Sequence, residues 1–350
     1  MPTVLIPGGA GFIGSHTVLA LQAAGFDTVV FDNLSNGHRD AVTAGAFVKG
    51  DIRDAAALDR VFEEHRIDAV IHFAALIEAG VSVRDPLAFY DNNVSGTLCL
   101  LEAMRRHAVR TLVFSSTAAV YGNAGTAAIT ETDEKKPINP YAHGKRMVEH
   151  VLDDMARAEG LRAIALRYFN AAGADPEGRL GERHDPETHL IPLVIQAAMG
   201  QRPCIKIFGT DYDTPDGTCI RDYIHVSDLA EAHVLALKRL LSQDETGSDT
   251  SQNRGSFDAF NLGNGQGYSV RQVIDTVRSV TGQSFRTEES GRRPGDPARL
   301  VANAGRAADI LGWRPRFNAL EDIVRHAWAY ASGRDGTGCG NGTHNSGAMP

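Results

Sequence analysis

The chain has 350 residues, 35 basic against 43 acidic side chains, and a formal net charge of −8. The length fits roughly two domains, and a composition with 43% hydrophobic and 22% charged residues is typical of a folded chain rather than a disordered one. The acidic balance argues against a nucleic-acid binder that works through a broad basic surface.

Three further absences narrow the class of protein. No apolar run reaches the roughly 18 residues that a membrane-spanning helix needs, and the first residues lack the pattern of a signal peptide. The four cysteines, Cys99, Cys204, Cys219 and Cys339, show no zinc-like spacing. The sequence therefore predicts a cytoplasmic protein with reduced thiols and no metal site.

Short apolar runs alternate with helical patterns through the first half of the chain. The runs predict strands at Val4–Ile6, Thr28–Phe31, Ala69–Phe73, Thr111–Phe114 and Ala163–Leu166. Helical patterns lie at Phe12–Ala24, Ala55–His65, 85–107 and Pro140–Glu159. Buried strands separated by helices are typical of βαβ units, and right-handed crossovers favour an α/β fold with a Rossmann-type, doubly wound parallel sheet.

The pattern changes after about residue 170. A long loop at Gly173–Asp185 is predicted to be functional because of its length. A loop at Gly209–Gly217 and helices near 190–200, 226–241, 269–280 and 319–331 predict a smaller C-terminal α/β domain. We place the first domain at 1–171 and the second at 172–331, with segments near 218–264 returning to the first. The polar segment 242–256 is predicted to be a solvated loop, and 332–350 a disordered tail.

A glycine-rich turn follows the first predicted strand and begins a helix. Gly8, Gly11 and Gly14 have the GxxGxxG spacing of a dinucleotide-binding loop. The first glycine permits a tight turn, the second lets the backbone approach a pyrophosphate, and the third allows helix and strand to pack closely. The N-terminus of the helix offers unpaired N–H groups and a partial positive charge to the phosphates.

A carboxylate at the end of the second strand indicates which dinucleotide is bound. Asp32 lies 18 residues after Gly14, near the position where an acidic side chain binds the adenosine ribose and repels a 2′-phosphate. NAD is therefore favoured over NADP. NADP stays an alternative because Arg39, seven residues further on, is a basic side chain that could bind a 2′-phosphate. Asp51 and Ile52, after the third strand, are predicted to flank the adenine.

A Tyr–Lys pair at the start of a predicted helix forms the candidate catalytic site. Tyr141 and Lys145 share one helix face, and Asn139 and Pro140 suit the N-cap and the first helical position. The lysine and the helix N-terminus are expected to lower the pKa of the phenol, so that it acts as an acid/base. Ser and Thr residues at 115–117 close the strand before this helix, at the sheet edge where such folds bind ligands. A surface pair beside a strand end is the simpler alternative.

These features belong to a wider set of motifs that resembles one family. GGAGFIGSH (8–16), GDIRD (50–54), HFAAL (72–76), DNNVSGT (91–97), SSTAAVYG (115–122) and LRYFNAAGA (166–174) are similar to the extended short-chain dehydrogenase/reductases. ETHLIP (187–192), IFGTDYDTPDGTCIRDYIHVSDLA (207–230), NLGNGQGYSV (261–270) and RRPGDPA (292–298) resemble the UDP-hexose 4-epimerases of that family. The match covers about residues 3–330.

The resemblance implies an isomerase with tightly bound NAD and UDP-glucose or UDP-galactose as substrate. Tyr141 would remove the proton from the sugar O4 while NAD takes hydride from C4, and the 4-keto intermediate would receive the hydride on its other face. Thr117 would bridge O4 and Tyr141, and Lys145 would hold the nicotinamide ribose. The family also implies a homodimer formed through the helices at 85–107 and 140–159. From the acidic charge balance and the absence of a long apolar run we expect no nucleic acid or membrane partner.

The resemblance also assigns further residues to the two ligands. The cofactor candidates are Gly8, Gly11, Phe12, Ile13, Gly14, Asp32, Asn33, Asp51, Ile52, Phe73, Ala74, Ala75, Asn92, Ser115, Tyr141, Lys145 and Tyr168. The substrate candidates are Thr117, Tyr141, Asn170, His189, Leu190, Phe208, Arg221, Tyr223, Val270, Arg293, Asp296 and Leu300. Arginines suit a diphosphate because their guanidinium donates two parallel hydrogen bonds.

The chain departs from the family pattern at four positions. Pro7 stands where Thr is usual, Ile77 replaces a basic residue found in some members, and His189 replaces Asn. Leu300 falls at the position that limits the N-acetyl pocket, where Tyr is associated with UDP-glucose and UDP-galactose alone and smaller residues with N-acetylated sugars. Leucine is intermediate, so epimerisation of UDP-N-acetylglucosamine remains an alternative.

Three other functions fit less well. A 4,6-dehydratase needs an Asp-Glu pair after the strand-end Thr, whereas Ala118 and Ala119 follow Thr117. A uronate epimerase would need extra basic residues at C6 of the sugar, and we locate none. A non-catalytic NAD sensor would need the glycine loop but not Thr117, Tyr141 and Lys145 together.

Overall fold

A computed structural model of the chain describes residues 1–123, 125, 127–245, 255–293 and 296–337. The strands are β1 (Thr3–Pro7), β2 (Asp27–Asp32), β3 (Ala46–Lys49), β4 (Ala69–His72), β5 (Thr111–Ser115), β6 (Arg162–Tyr168), β7 (Asn170–Ala172), β8 (Ile205–Phe208), β9 (Ile220–Arg221), β10 (Tyr223–His225), β11 (Ser256–Leu262), β12 (Tyr268–Ser269), β13 (Thr287–Ser290) and β14 (Arg299–Leu300).

The α-helices are α1 (Phe12–Ala23), α2 (Ala55–Glu64), α3 (Ala79–Arg84), α4 (Pro86–Tyr90), α5 (Gly96–Arg106), α6 (Pro140–Glu159), α7 (Leu190–Ala198), α8 (Val226–Glu245), α9 (Val270–Thr281), α10 (Gly305–Leu311) and α11 (Leu320–Thr337). A π-helical turn at Asp91–Ser95 joins α4 to α5, and short 3₁₀ turns lie at Arg39–Ala41 and Ala118–Tyr121.

Seven parallel strands form the central sheet, in the order β11-β6-β5-β4-β1-β2-β3. Side chains alternate between its two faces, as the period of a strand requires. In β1, Val4 and Ile6 join the core that α1 and α8 cover, whereas Leu5 joins the core that α2, α5 and α6 cover. The predicted doubly wound parallel sheet is confirmed.

Smaller sheets pack beyond this layer. β7 pairs with β10, β9 with β12 and β14, and β8 with β13. Residues of α7, α9 and α11 form a separate apolar cluster with β8, which includes Val194, Val277 and Val324. The C-terminal α/β unit that the sequence predicts is thus present, and β11 lies at the edge of the central sheet.

Two predicted boundaries need correction. α8 continues to Glu245, so the first four residues of the predicted loop 242–256 are helical. α11 continues to Thr337, so the predicted disordered tail begins as helix, because the amphipathic pattern does not mark where a helix stops. Residues 246–254 and 338–350 lie outside the described residues. Among the helices that the structure describes, none is long and apolar enough to cross a membrane.

Candidate functional site

A cleft of about 310 Å³ opens at the carboxyl edge of the central sheet. Its wall is made by the segments that follow β1 to β6, by the start of α6 and by residues of the segment between β7 and α7. Ligands of doubly wound sheets bind at this edge. Except for Asp51, all the cofactor candidates line the cleft: Gly8, Gly11, Phe12, Ile13, Gly14, Asp32, Asn33, Ile52, Phe73, Ala74, Ala75, Asn92, Ser115, Tyr141, Lys145 and Tyr168.

The glycine loop leaves an open face at the N-terminus of α1. Gly8 has a φ of +81°, and a Cβ there would lie 2.4 Å from the nitrogen of Ala74, so this turn requires glycine. A Cβ on Gly14 would lie 2.3 Å from the Gly8 carbonyl oxygen, so the helix packs too closely on the loop for any side chain. A Cβ on Gly11 would meet only that oxygen, at 3.4 Å, and protein packing does not explain this glycine. The space over Gly11 fits the pyrophosphate of a dinucleotide.

Asp32 ends β2, and backbone N–H groups fix its buried carboxylate. Oδ2 accepts a hydrogen bond from Ala10 in the glycine loop at 3.0 Å, and Oδ1 accepts one from Leu34 at 2.8 Å. Burial raises the pKa of this carboxyl, and the two backbone hydrogen bonds oppose the rise. The carboxylate therefore lies beside the glycine loop, where the ribose of a dinucleotide would bind.

Asp51 lies behind the cleft rather than in its lining. Its carboxylate pairs with Arg53 at 2.8 Å and accepts a hydrogen bond from Asn33 Nδ2 at 2.9 Å. The hydrogen bonds from Arg53 hold the pKa of Asp51 well below its usual range. Gly50 and Ile52, on either side of Asp51, line the cleft. Of the two residues predicted to flank the adenine, Ile52 therefore lines the cleft and Asp51 does not.

Arg39, the candidate for binding the 2′-phosphate of NADP, does not line the cleft. Its guanidinium stacks over the Phe47 ring at 4.5 Å and donates to the Val42 carbonyl at 3.3 Å. Asp32 is therefore the charged side chain that faces the ribose end of the site, and this arrangement favours NAD over NADP.

An asparagine that the sequence analysis missed holds the loop after β4. Asn93 is buried, and its side chain accepts from the nitrogen of Leu76 and donates to the carbonyl of Leu76, both at 2.8 Å. It lies in the π-helical turn next to Asn92, which lines the cleft. Such turns are frequent at functional sites. The two partners are 17 residues apart, so only the folded chain reveals the contact.

The helix that carries the catalytic candidates begins as predicted. Asn139 is the N-cap of α6, its side chain accepts from the nitrogen of Ala142 at 2.9 Å, and Pro140 lies in the first turn. Tyr141 and Lys145 consequently lie in the first turns of α6, and both line the cleft.

Lys145 is anchored at the end of β5. Its Nζ donates to the Ser115 carbonyl at 2.8 Å and lies 4.8 Å from the centre of the Phe114 ring, and the side chain is buried. Thr117, two residues further on, lines the cleft next to the phenol of Tyr141. The structure thus brings the three catalytic candidates together.

Burial shifts the pKa values of Tyr141 and Lys145 in opposite directions. It raises the pKa of Tyr141 to about 12, and the hydroxyl of Thr117 opposes the rise. It lowers the pKa of Lys145 to about 7, and Glu149 opposes this fall. The sequence predicts a lowered pKa for Tyr141, and for the protein without ligands this prediction is wrong. Burial destabilises the phenolate more than the neighbouring groups stabilise it.

A buried ionic network, here called the Glu149 network, supports the end of β5. Glu149 accepts two hydrogen bonds of 2.8 Å from Arg167 and one of 2.7 Å from Ser116. Arg167 also donates to the Tyr121 hydroxyl at 2.9 Å, which in turn donates to Asn261 Oδ1 at 2.7 Å. The network therefore connects α6, β6 and β11 to the strand end that carries the catalytic candidates. No sequence motif predicts the Glu149 network.

The structure divides the substrate candidates into two groups. Thr117, Tyr141, Asn170 and His189 line the cleft. The remaining candidates are not part of its lining: Leu190, Phe208, Arg221, Tyr223, Val270, Arg293, Asp296 and Leu300.

Several members of this second group meet around β9. Arg221 forms an ion pair with Asp296, and Arg293 stacks over the Phe208 ring at 4.0 Å. Leu300 lies opposite Arg221 in the ladder between β14 and β9. A diphosphate bound here would compete with Asp296 for the guanidinium of Arg221.

Further residues line the cleft that the sequence analysis did not assign. They are Phe31, Ser35, Asn36, Gly37, Gly50, Leu76, Phe169, Ala171, Glu182 and His184, together with Ile77. The segment 35–37 begins three residues after Asp32, so its place in the chain could have indicated that it lines the cleft. Glu182 and His184 both lie within the loop 173–185, which is predicted to be functional.

Comparisons with known proteins agree with this geometry. The model of the NAD dependent epimerase/dehydratase family matches residues 4–248. A UDP-glucose 4-epimerase of Halalkalibacterium halodurans is 51% identical over 325 residues, which are 93% of this chain and 94% of that protein.

Solved structures are similar over nearly the whole chain. The crystal structure of UDP-glucose 4-epimerase from Brucella ovis in complex with NAD is 48% identical with a TM-score of 0.89, and the match covers 94% of this chain and 98% of that one. The corresponding structure from Stenotrophomonas maltophila, with bound NAD and formylated UDP-arabinopyranose, is 40% identical with a TM-score of 0.90 and covers 96% and 100%.

Proposed function

The chain belongs to the NAD dependent epimerase/dehydratase family, and on that premise we propose that it interconverts UDP-glucose and UDP-galactose by epimerisation at C4. The observation that carries the proposal is the convergence of Thr117, Tyr141 and Lys145 with the glycine loop and Asp32 on one cleft. Similarity to UDP-glucose 4-epimerases over more than nine-tenths of the chain supports the choice of substrate.

NAD is the cofactor of this proposal. The open face over Gly11, the carboxylate of Asp32 and the amine of Lys145 fit its pyrophosphate, adenosine ribose and nicotinamide ribose respectively. When bound, NAD supplies the acceptor and later the donor of the C4 hydride. Because the reaction involves no net oxidation, the cofactor is expected to remain bound through the cycle.

Tyr141 performs the proton transfer in the proposed reaction. As the O4–H bond of the sugar breaks, its phenolate oxygen takes the proton, C4 loses hydride and a C4=O double bond forms. Thr117, beside the phenol, is placed to hydrogen-bond O4. Lys145 is fixed by the Ser115 carbonyl, and in its protonated state it favours the phenolate. The 4-keto sugar then turns over, receives hydride on the opposite face and regains its proton from Tyr141.

The substrate's UDP is assigned to the residues around β9. Two guanidinium groups, those of Arg221 and Arg293, lie among these candidates and supply the charge that a diphosphate needs. Leu300 packs in one cluster with Phe169, and Phe169 lines the cleft. This packing supports a role for Leu300 in setting the size of the sugar pocket. Acceptance of UDP-N-acetylglucosamine as a second substrate is the alternative that its intermediate size supports.

The decisive experiment is to incubate the purified protein with UDP-galactose without adding cofactor and to identify the product by NMR. UDP-glucose is expected, and Tyr141→Phe is expected to lose about 10²–10⁴-fold in turnover while keeping its bound NAD. Tyr268→Phe is the matched control, since that hydroxyl donates to the Asn318 carbonyl at 3.0 Å, away from the cleft lining. No conversion by the wild-type protein would refute the function, and full activity of Tyr141→Phe would refute the mechanism.

A parallel incubation with UDP-N-acetylgalactosamine tests the breadth of the activity. Conversion by the wild-type protein, abolished in Leu300→Tyr with UDP-galactose turnover retained, would establish the bifunctional alternative. A 4,6-dehydratase is disfavoured because Ala118 and Ala119, which follow Thr117, have no group to expel the C6 hydroxyl.

We also propose that the protein acts as a homodimer in the cytoplasm. Large apolar side chains are exposed on α3 to α6, among them Val83, Leu87, Leu98 and Met147. Several exposed apolar side chains on neighbouring helices support a subunit interface there. Among the described residues the cysteines are unpaired, which suits a reducing compartment. Light scattering of the wild-type protein and of Leu87→Glu tests the dimer, which the substitution is expected to weaken.

A further inference from the structure

Two glutamates and two histidines converge in the segment between β7 and α7. One coordinating atom from each of Glu182, His184, Glu187 and His189 lies within 4.8 Å of the other three. We call this set the Glu/His cluster. Glu182 and His184 line both the cleft and a second cavity of about 280 Å³. The cluster thus stands in the wall between two cavities, and the proposed epimerisation uses only His189, as a substrate contact.

The separations within the cluster suit a metal ion. His189 Nδ1 lies 2.6 Å from Glu182 Oε1 and 3.6 Å from Glu187 Oε1. His184 Nδ1 lies 3.2 Å from Glu182 Oε1 and 3.7 Å from Glu187 Oε2. A tetrahedral zinc ion with bonds of about 2.0–2.2 Å keeps its ligand atoms about 3.4 Å apart. The separations of 3.2, 3.6 and 3.7 Å are close to that value, whereas His189 and Glu182, hydrogen-bonded at 2.6 Å, would have to move apart to admit the ion.

The chain's local geometry aims these groups at one another. The spacing is Glu-x-His twice, at 182 and 184 and again at 187 and 189, so each pair can project to one side of an extended segment. Glu187 Oε1 accepts hydrogen bonds from the nitrogens of Thr188 at 2.7 Å and His189 at 2.8 Å, which fix the orientation of its carboxylate. Fixed carboxylates are a common feature of metal sites.

The buried carboxylates of the cluster need positive charge close by. The side chains of Glu182 and Glu187 are each only 5% exposed, and buried carboxylates need a compensating charge. Arg183 does not supply it, because its guanidinium pairs with Asp40 at 2.8 Å. His184 Nδ1 is buried and has no hydrogen bond of good geometry to any described residue. Against the opposing effect of burial, the two glutamates raise the pKa of His184 to about 10, so in the metal-free protein a protonated imidazole balances part of their charge. A metal ion would replace that proton and take the lone pair of the nitrogen.

We propose that Glu182, His184, Glu187 and His189 bind a divalent transition-metal ion of the zinc class. Two neutral imidazoles and two carboxylates form a donor set that zinc accepts, and they balance its charge. The sequence predicted no metal site because the cysteine spacing was weighed and the Glu-x-His spacing at 182–189 was not. A bound ion would fix the segment 182–189, which is already tied to the segment after β2 by a contact of 3.2 Å between His38 Nε2 and the Arg183 carbonyl. This wall of the cleft would then be held in place.

The test measures bound metal, so it does not depend on the proposed epimerase activity. Tag-free protein that retains its natural cofactor is treated with EDTA, dialysed against Zn²⁺ and analysed by mass spectrometry for metal content. One equivalent of zinc per chain is expected. Co²⁺ in the same site should give the visible absorption of a four-coordinate ion, and Zn²⁺ should raise the unfolding temperature.

The variants Glu182→Gln and His184→Ala are each expected to weaken zinc binding by about 100-fold. His189→Asn is a second test that preserves the fold, since its side chain is 43% exposed. The controls are Thr188→Ala, an exposed side chain in the same loop, and His150→Ala, an exposed histidine on α6, and both should bind zinc like the wild type. No stoichiometric zinc in the wild type, or equal binding in all the variants, would overturn the proposal and identify the cluster as a network of charged histidines. UDP-galactose turnover of the same samples separates this failure from a failure of the proposed function.

Discussion

Replacing Glu149 by glutamine should strongly lower the free energy of unfolding of the protein. The Glu149 carboxylate is fully buried, and both its oxygens accept hydrogen bonds from Arg167. It also accepts from Ser116 at 2.7 Å and from Arg146 at 2.8 Å. Glutamine keeps the shape of the side chain, but it removes the charge and turns an amide NH₂ toward guanidinium donors.

The magnitude follows from what remains buried. Arg167 is 3% exposed, so its charge loses its partner without gaining water. Removing one member of a buried ion pair costs about 3–5 kcal/mol. Arg146, whose side chain is 26% exposed, can turn to solvent and adds little. The free energy of unfolding should therefore fall by about 3–5 kcal/mol.

Urea unfolding, followed by circular dichroism, measures this loss. The matched control is Glu102→Gln on α5, whose side chain is 53% exposed and pairs with Arg105 and Arg106, so about 0–1 kcal/mol is expected. The double variant Glu149→Met/Arg167→Met should be more stable than Glu149→Gln, because it buries no unpaired charge. If Glu149→Gln were no less stable than Glu102→Gln, the reasoning about the network would be refuted.

The glycine loop and Lys145 give further predictions. Gly14→Ala should lose about 1–3 kcal/mol of stability, since its Cβ would lie 2.3 Å from the Gly8 carbonyl oxygen, as thermal unfolding would reveal. Gly11→Ala should lose bound NAD, measured by cofactor release on denaturation, while the stability of the cofactor-free protein changes by no more than about 1 kcal/mol. In cofactor-free protein the pKa of Lys145 falls to about 7, below its value of about 10.4 in the unfolded chain. Between about pH 7 and pH 10 the unfolded chain therefore binds more protons than the folded protein, and the free energy of unfolding rises with pH. Lys145→Met should abolish this rise in urea titrations at pH 7 and pH 9, and an unchanged slope would contradict the assignment.

Short-range patterns predicted the parts of the site that depend on backbone conformation. Gly8 requires a positive φ, and Asn139 caps the helix on which Tyr141 and Lys145 lie, so both features are visible in a few consecutive residues. The alternating runs likewise predicted the central sheet, because buried parallel strands have no polar face. The helix ends at Glu245 and Thr337 were missed, since nothing in the sequence forces a helix to stop at the predicted positions.

Contacts between distant segments could not be predicted in this way. Asn93 binds the backbone at Leu76, and Glu149 binds Arg167 on another element, and neither pairing has a local signal. The pKa of Tyr141 was mispredicted for the same reason, because it also depends on contacts between distant segments. The helix N-terminus and Lys145 are neighbours along the chain, and they favour the phenolate. Burial depends on segments far away in sequence, and it outweighs both, raising the pKa to about 12. A phenol that must lose its proton in such a place needs a positive charge that arrives with the ligand, so binding and activation of Tyr141 are expected to be coupled.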